Sequence, residues 1–355
     1  MKGTVRFGII GTGRISDWVL KGAVLDPRFK AVAVCSRSIE RAKAFGTAHG
    51  IPKAYSDPEE IASDPGIDAI YIGTPNHTHH DLAILCMRKG KHVMCEKPLA
   101  SNAREVEDMI EAARKYDVVL MEAMISTLSP NFRNVQDRLG EIGTVRHFSA
   151  TFCQYSSKFA QVVRILSGED SSPVPSSFNP DSSGGALMDV GIYTIFPMVT
   201  LFGKPDSVKA EVKTLNVPVG GSVKPVDIQG NILFGYPGMT ASAMYSKVAD
   251  SRLRTEISGE LGIISLDQVH IARQVSMTKR GELTSGRSAG PLSTDITVPG
   301  DADEYQCEFR EFMDLVNSGQ KESRNNSLRN SLIVARIMDE IRRQAGITFP
   351  ADLQE

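Results

Sequence analysis

Apolar residues in the first third of the chain fall in short continuous runs separated by stretches of helical spacing. Residues 5–10 and 31–35 are near-continuous apolar runs with a helical stretch between them. Continuous runs are characteristic of strands buried on both faces, and a period of about 3.6 residues marks a helix with one buried face. The alternation continues, predicting helices over 40–49, 58–63, 81–89 and 102–116 and strands over 67–72, 92–95 and 118–121. Asp57 is placed to accept first-turn N–H groups of the helix opened by Pro58. Gly90 is placed to end the helix before it. Repeated strand–helix units predict a doubly wound, mainly parallel sheet with its ligand at the C-terminal ends of the strands.

The rhythm changes near residue 122. A helix is expected over 129–139, with Pro130 tolerated in its first turn. Long alternating strands then follow over 145–154, 207–215, 228–234, 239–247, 253–258 and 269–276. A helix over 184–202 is set among them, and helices over 304–317 and 327–344 close the chain. Strands with few helices between them predict a large open sheet, mostly antiparallel. A chain of 355 residues is long for one core, so two domains are expected, 1–124 and 125–355. Two loops look mobile: 167–183, rich in Ser and Pro, and 280–294, rich in Gly and Ser.

Composition excludes several classes. The net charge is −2, and no basic run suggests a nucleic-acid groove. No positive-then-apolar leader opens the sequence, and no apolar run approaches the roughly 18 residues that would span a bilayer. The five cysteines are odd in number and widely spaced, which fits buried thiols in a reducing compartment. A cytoplasmic protein without a membrane partner is the expectation.

Chemistry enters first at Gly11-Thr12-Gly13-Arg14-Ile15-Ser16, directly after the first apolar run. Gly11 allows a sharp turn, and Gly13 lets a pyrophosphate approach the backbone. The helix opening at Arg14 and Ile15 aims free N–H groups at that phosphate. Ser16 replaces the third glycine of the fingerprint and is small enough for close helix–strand packing. This is a dinucleotide site in the context that supports it, between a strand and a helix. An NAD site usually has a carboxylate about 20 residues further on. This chain has Ser36, Arg37 and Arg41 instead, a set that suits a 2′-phosphate, so NADP is favoured and NAD is the alternative.

Three further motifs follow. Thr74-Pro75-Asn76 with His79 lies at the end of the strand over 67–72, placed to meet cofactor phosphate or ribose. His77, His79 and His80 match no common zinc spacing, so no metal is expected and His79 is read as fixing the loop. Glu96-Lys97-Pro98 follows the next strand, and Pro98 holds Lys97 extended at the mouth of the cleft. Asp189 and Tyr193 are four residues apart, which puts a carboxylate and a phenol on one helix face. With a lysine nearby they form a proton-transfer set.

Taken together, Gly11-x-Gly13, Thr74-Pro75-Asn76-x-x-His79, Glu96-Lys97-Pro98 and Asp189-x-Gly191-x-Tyr193 resemble the glucose–fructose oxidoreductase / inositol dehydrogenase / MocA (Gfo/Idh/MocA) family. Gly259-Glu260-Leu261-Gly262 and Gly346-Ile347-Thr348-Phe349-Pro350 add to the likeness, which covers nearly the whole chain. The tyrosine variant and Ser182-Ser183-Gly184-Gly185-Ala186-Leu187 most resemble dimeric dihydrodiol dehydrogenase and NADP-dependent D-xylose dehydrogenase. The resemblance implies an N-terminal Rossmann domain and a C-terminal α/β domain whose open sheet forms a homodimer or higher homo-oligomer. It implies an NAD(P)-dependent dehydrogenase or reductase acting on a secondary alcohol of a sugar, polyol or trans-dihydrodiol. Lys97, Tyr193 and Asp189 would be catalytic; Gly11, Gly13, Arg14, Ile15, Ser36, Arg37, Arg41, Thr74, Pro75, Asn76, His79, Glu96 and Lys97 would hold the cofactor. The other reading is a non-catalytic NADP(H)-binding sensor or scaffold.

Overall fold

The structure is a computed structural model and describes residues 3–280 and 293–354. It divides into two compact units, the first of residues 1–128 and 301–335, the second of residues 129–300 and 336–355.

The first unit alternates strand and helix: β1 (Val5–Ile10), α1 (Arg14–Ala23), β2 (Phe29–Cys35), α2 (Ile39–His49), β3 (Lys53–Tyr55), α3 (Pro58–Ser63), β4 (Ala69–Ile72), α4 (His79–Arg88), β5 (His92–Glu96), α5 (Ala103–Lys115), β6 (Leu120–Ala123) and α6 (Ile125–Leu128). The strands form a parallel sheet in the order β3-β2-β1-β4-β5-β6. The order reverses beside β1, and ligands of such sheets bind at that switch point. Local chemistry sets the helix starts. Ser38, Asp57 and Asn102 each accept a first-turn N–H, from Arg41, Glu59 and Glu105 respectively.

The second unit contains α7 (Pro130–Arg138), β7 (Val145–Cys153), α8 (Phe159–Leu166), α9 (Ile192–Phe202), β8 (Ser207–Val219), β9 (Ser222–Tyr236), β10 (Met239–Ser246), β11 (Thr255–Gly259), β12 (Gly262–Leu266), β13 (Val275–Lys279) and β14 (Thr294–Asp295). Its eight strands run in the order β14-β13-β12-β11-β7-β10-β9-β8. Every pairing is antiparallel except β7 with β10. The chain closes with α10 (Gln306–Ser318) and α11 (Leu328–Gln344).

Several expectations need correction. The single cut at 124/125 misses residues 301–335, which belong to the first unit. There Phe309 and Phe312 pack on Phe7 at 5.6 and 5.7 Å between ring centroids, and Phe309 on Phe29 at 5.1 Å. The strand expected from 269 begins at Val275, because Asp267 Oδ1 accepts N–H groups of Gln268, Arg273 and Gln274 and holds the intervening residues in a turn. β12 and α8 were not foreseen. The loop over 167–183 is packed in its second half: Val174 and Phe178 join Val162, Val217, Val219 and Val226 in one core. Of the loop expected over 280–294, residues 281–292 lie outside the described residues. Residues 180–202 are long and apolar enough to cross a membrane by length and composition, against the expectation that no run came close. Of that window 72% is buried inside the protein, as in a core helix. All five cysteines are free thiols.

Candidate active site

A cavity of about 560 Å³ opens at the C-terminal ends of β1, β2 and β4. Gly11, Gly13, Ser36, Arg37, Arg41, Thr74 and Pro75 line it, seven residues that the sequence had singled out. Gly11 has φ +109°, and a Cβ there would lie 2.3 Å from the Gly73 carbonyl oxygen. No residue but glycine makes this turn without displacing β4. Gly13 precedes α1, whose first turn has no side-chain cap. A Cβ built on Gly13 meets nothing within 4 Å. Open space in front of uncapped N–H groups is the cradle that a pyrophosphate needs, so these residues fit a dinucleotide. Ser16 is fully buried, and its Oγ would lie 2.7 Å from a Cβ on Gly73. The small third residue is therefore required by contact between helix and strand.

At the end of β2, Ser36 Oγ accepts from Thr12 Oγ1 at 3.3 Å. Arg37 and Arg41 are exposed along the cavity. The nearby carboxylate of Glu40 is turned onto Ser38 Oγ at 2.7 Å and is not among the lining residues. Arg14, Ile15, Asn76, His79, Glu96 and Lys97 also lie outside the lining. Arg14 stands over the Trp18 ring at 5.7 Å.

His79 fixes the neighbouring loops. It is 1% exposed, and its Nδ1 and Nε2 lie 2.9 Å from the carbonyl oxygens of Pro98 and Thr74. A neutral imidazole carries one N–H and donates to one carbonyl at a time. Burial pushes its pKa below the ordinary histidine value, against the pull of the two carbonyls. The ring thus ties Thr74-Pro75-Asn76 to the peptide that carries Lys97, whose bond to Pro98 is cis.

Under Lys97 the first unit buries several acids that the sequence left without a structural place. Glu96 Oε1 accepts from the Tyr71 hydroxyl at 2.7 Å. Strand register explains the contact: Tyr71 pairs with Met94, which shares a face with Glu96. Burial raises the Glu96 carboxyl, while Tyr71 and Lys97 pull it down. Glu308, on α10, is 2% exposed. Its Oε2 has no hydrogen-bond partner among the described residues. Burial and the charge of Glu96 hold its carboxyl well above the usual range. Glu122, on β6, accepts from Leu99 N–H at 3.0 Å, and burial pushes its carboxyl up to about 7. Glu96, expected to touch cofactor, is placed beneath the loop and not on the cavity wall.

Asp189 and Tyr193 belong to the second unit. Residues Leu187–Gly191 form a π-helical turn that runs into α9, so the assumption of a plain α-helix is corrected. Such turns recur at functional sites. Of residues 183–199, Asp189 and Tyr193 alone are not buried. Asp227, on β9, docks this turn by accepting from Leu187 N–H at 2.6 Å. Burial pushes the Asp227 carboxyl up to about 6. Lys247, beyond β10, donates to Asp189 Oδ2 at 2.6 Å. Beside Tyr193, Phe152 and His270 stack with centroids 4.2 Å apart and planes 1° from parallel. Tyr193 meets both rings edge-on, at 5.4 and 6.1 Å. Lys247 and His270 were missed. The one available signal was a lysine closing an alternating strand, and no local pattern marks His270.

Comparison with known proteins agrees with the architecture. Residues 5–124 match the GFO_IDH_MocA oxidoreductase family with an NAD-binding Rossmann fold, and residues 132–265 match the GFO/IDH/MocA C-terminal domain. The chain is 41% identical to scyllo-inositol 2-dehydrogenase (NADP(+)) IolU of Bacillus subtilis (strain 168), over 98% of this chain and 99% of that protein. It is 33% identical to trans-1,2-dihydrobenzene-1,2-diol dehydrogenase of Xenopus laevis, over 97% and 99% of the two chains. The fold is shared with a solved aldose-aldose oxidoreductase from Caulobacter crescentus, with a TM-score of 0.80 at 22% identity over 97% and 98% of the chains. A parallel nucleotide-binding sheet, a second mostly antiparallel sheet and likeness along the whole length lead to one assignment: the chain belongs to the Gfo/Idh/MocA family of oxidoreductases.

Proposed function

We propose that the protein is an NADP-dependent dehydrogenase of ring alcohols, oxidising a secondary hydroxyl of an inositol-like polyol, a sugar or a cyclic diol. One observation carries the cofactor choice: at the end of β2 and the start of α2 the cavity wall offers Ser36, Arg37 and Arg41, and the carboxylate among its lining residues, Asp81, belongs to α4 instead. Two guanidiniums match a 2′-phosphate, whereas a ribose hydroxyl needs an acceptor. The likeness to an NADP(+)-dependent inositol dehydrogenase supports the same choice.

A nicotinamide dinucleotide held by these residues would supply the hydride acceptor for the carbinol carbon. Tyr193 takes the hydroxyl proton of the substrate, Lys97 assists proton transfer, and Asp189 orients a neighbouring hydroxyl. Gly11, Gly13, Arg14 and Ile15 form the phosphate turn; Thr74, Pro75, Asn76, His79 and Glu96 shape the loops beside it. Five free thiols support a cytoplasmic location. Leu233 and Val223, exposed on β9, support self-association through the open sheet. Light scattering tests this, and a monomer at micromolar concentration would overturn it.

The test of function is absorbance at 340 nm with NADP⁺ or NAD⁺ and a panel of inositols, aldoses, polyols and trans-cyclic diols. A rise with NADP⁺ is expected. A rise with NAD⁺ alone would overturn the Arg37 argument, and NADPH binding without turnover on any substrate would favour the sensor reading.

A further inference from the structure

Lys247 is an ammonium where none is cheaply kept. Its side chain is 3% exposed. An ion in such a place stays charged only if its donors are matched. Here they are: Nζ donates to Asp189 Oδ2 at 2.6 Å and to the Ser177 carbonyl at 3.0 Å. It also lies 4.2 Å from the centroid of the Phe178 ring, a cation–π contact worth most when desolvated. Asp189 touches the ammonium, and on the adjacent strand β9 burial raises the Asp227 carboxyl while the charge of Lys247 pulls it down slightly. The backbone fixes the arrangement, because Lys247 N–H continues the β9–β10 ladder to the Ile228 carbonyl at 2.9 Å. The Asp189 side chain, by contrast, is 39% exposed. One end of the pair is locked in the protein and the other faces outward beside Tyr193.

We infer that Lys247 is a positioning residue that fixes the direction and charge of Asp189, making it a rigid acceptor for a substrate hydroxyl next to the one being oxidised. The inference rests on the reading of Asp189 as the residue that orients substrate. A carboxylate held as an anion accepts hydrogen bonds and donates none. It therefore selects a substrate with a hydroxyl at that place and rejects an analogue lacking it. The substrate class that follows is a ring bearing vicinal hydroxyls. Ser177 and Phe178 belong to the same device, since both contact the ammonium that Asp189 meets.

The test has two arms. The first needs no turnover. Unfolding is measured for Lys247→Met, Asp189→Asn and the double variant. A coupling of tenfold or more in the unfolding equilibrium is expected; additive effects would overturn the pairing. The second uses the preferred substrate of the 340 nm panel and its monodeoxy analogue. Lys247→Met should raise substrate KM at least tenfold, leave NADPH affinity unchanged and narrow the preference for the vicinal diol. Lys247→Arg, which keeps the charge, should recover most of that preference. Unchanged discrimination in Lys247→Met would sink the inference. Strong coupling with unchanged KM in Asp189→Asn would instead overturn the reading of Asp189 and leave the pair a purely structural one.

Discussion

The two units solve the problem of holding a ligand differently. In the first, backbone shapes the cavity: a glycine at φ +109° and an uncapped helix start. In the second, the proposed site is made of side chains distant in sequence. Asp189 is held by Lys247, and Tyr193 is flanked by Phe152 and His270. A backbone site of this kind binds what all dinucleotides share. A site made of side chains can change its substrate while its sheet stays the same. The contrast implies that substitutions in the phosphate turn of the first unit fail through binding or folding, and those at Asp189 and Tyr193 through turnover and specificity.

The largest expected effect tests the chemistry directly. Tyr193→Phe should lower kcat by about 10²–10⁴-fold, the usual contribution of a positioned acid or base, with NADPH affinity unchanged. Fluorescence titration of NADPH beside steady-state rates separates the two, and a Tyr193→Phe protein with normal kcat would remove Tyr193 from the mechanism.

Acid titrations then separate the units. Burial raises Glu122 from 4.5 to about 7. Between those values the folded protein keeps a proton that the unfolded chain has released. Stability therefore falls as pH rises through that window and is level above it. The loss attributable to Glu122 is about 3 kcal/mol. In the second unit Asp227, raised from 3.8 to about 6, gives a similar fall in a lower window. Glu122→Gln should flatten the first slope and Asp227→Asn the second, each read by hydrogen exchange of its own unit. A single slope unaffected by either change would contradict both assignments.

Glycine substitutions sharpen the backbone side of the contrast. Gly11→Ala adds a Cβ at positive φ against the Gly73 carbonyl, and should cost about 1–3 kcal/mol in thermal unfolding. Gly13→Ala meets open space at φ −82°. It should fold normally and lose cofactor affinity alone. Equal stability losses in the two variants would show that Gly13 is also a structural requirement.

The smallest predicted change concerns the second phosphate. Arg37→Ala should raise KM for NADP⁺ about tenfold, on the order of 1.4 kcal/mol for one lost charge-assisted contact, and leave NAD⁺ unaffected. Equal effects on both cofactors would move Arg37 from the 2′-phosphate to general binding.

This contrast also explains what could be read from the amino-acid sequence. Gly11, Gly13, Ser36, Arg37 and the cap at Asp57 act within a few residues of themselves, so their meaning survives in the linear chain. Asp189 and Tyr193 were legible through spacing, although the π-helical turn between them was not. Lys247 and His270 were silent because their partners lie 58 and more residues away and are brought to them by strand pairing. Glu308 was silent for the same reason. It closes a cluster whose other members, Tyr71 and Glu96, come from the opposite end of the chain. The strand 262–266 was missed because its alternation is short and sits between turns that carry their own polar signals.

The return of residues 301–335 to the first unit has a consequence for how the protein is made. Phe309 and Phe312 cover Phe7, and Leu328 and Ala335 complete the cluster around β4 and β5. Synthesis runs from the N-terminus, so the first sheet waits for its covering helices until nearly the whole second unit has emerged from the ribosome. A fragment ended at residue 128 would leave Phe7 and Phe29 without the rings that cover them. The nucleotide-binding unit is begun before the second unit and is completed after it.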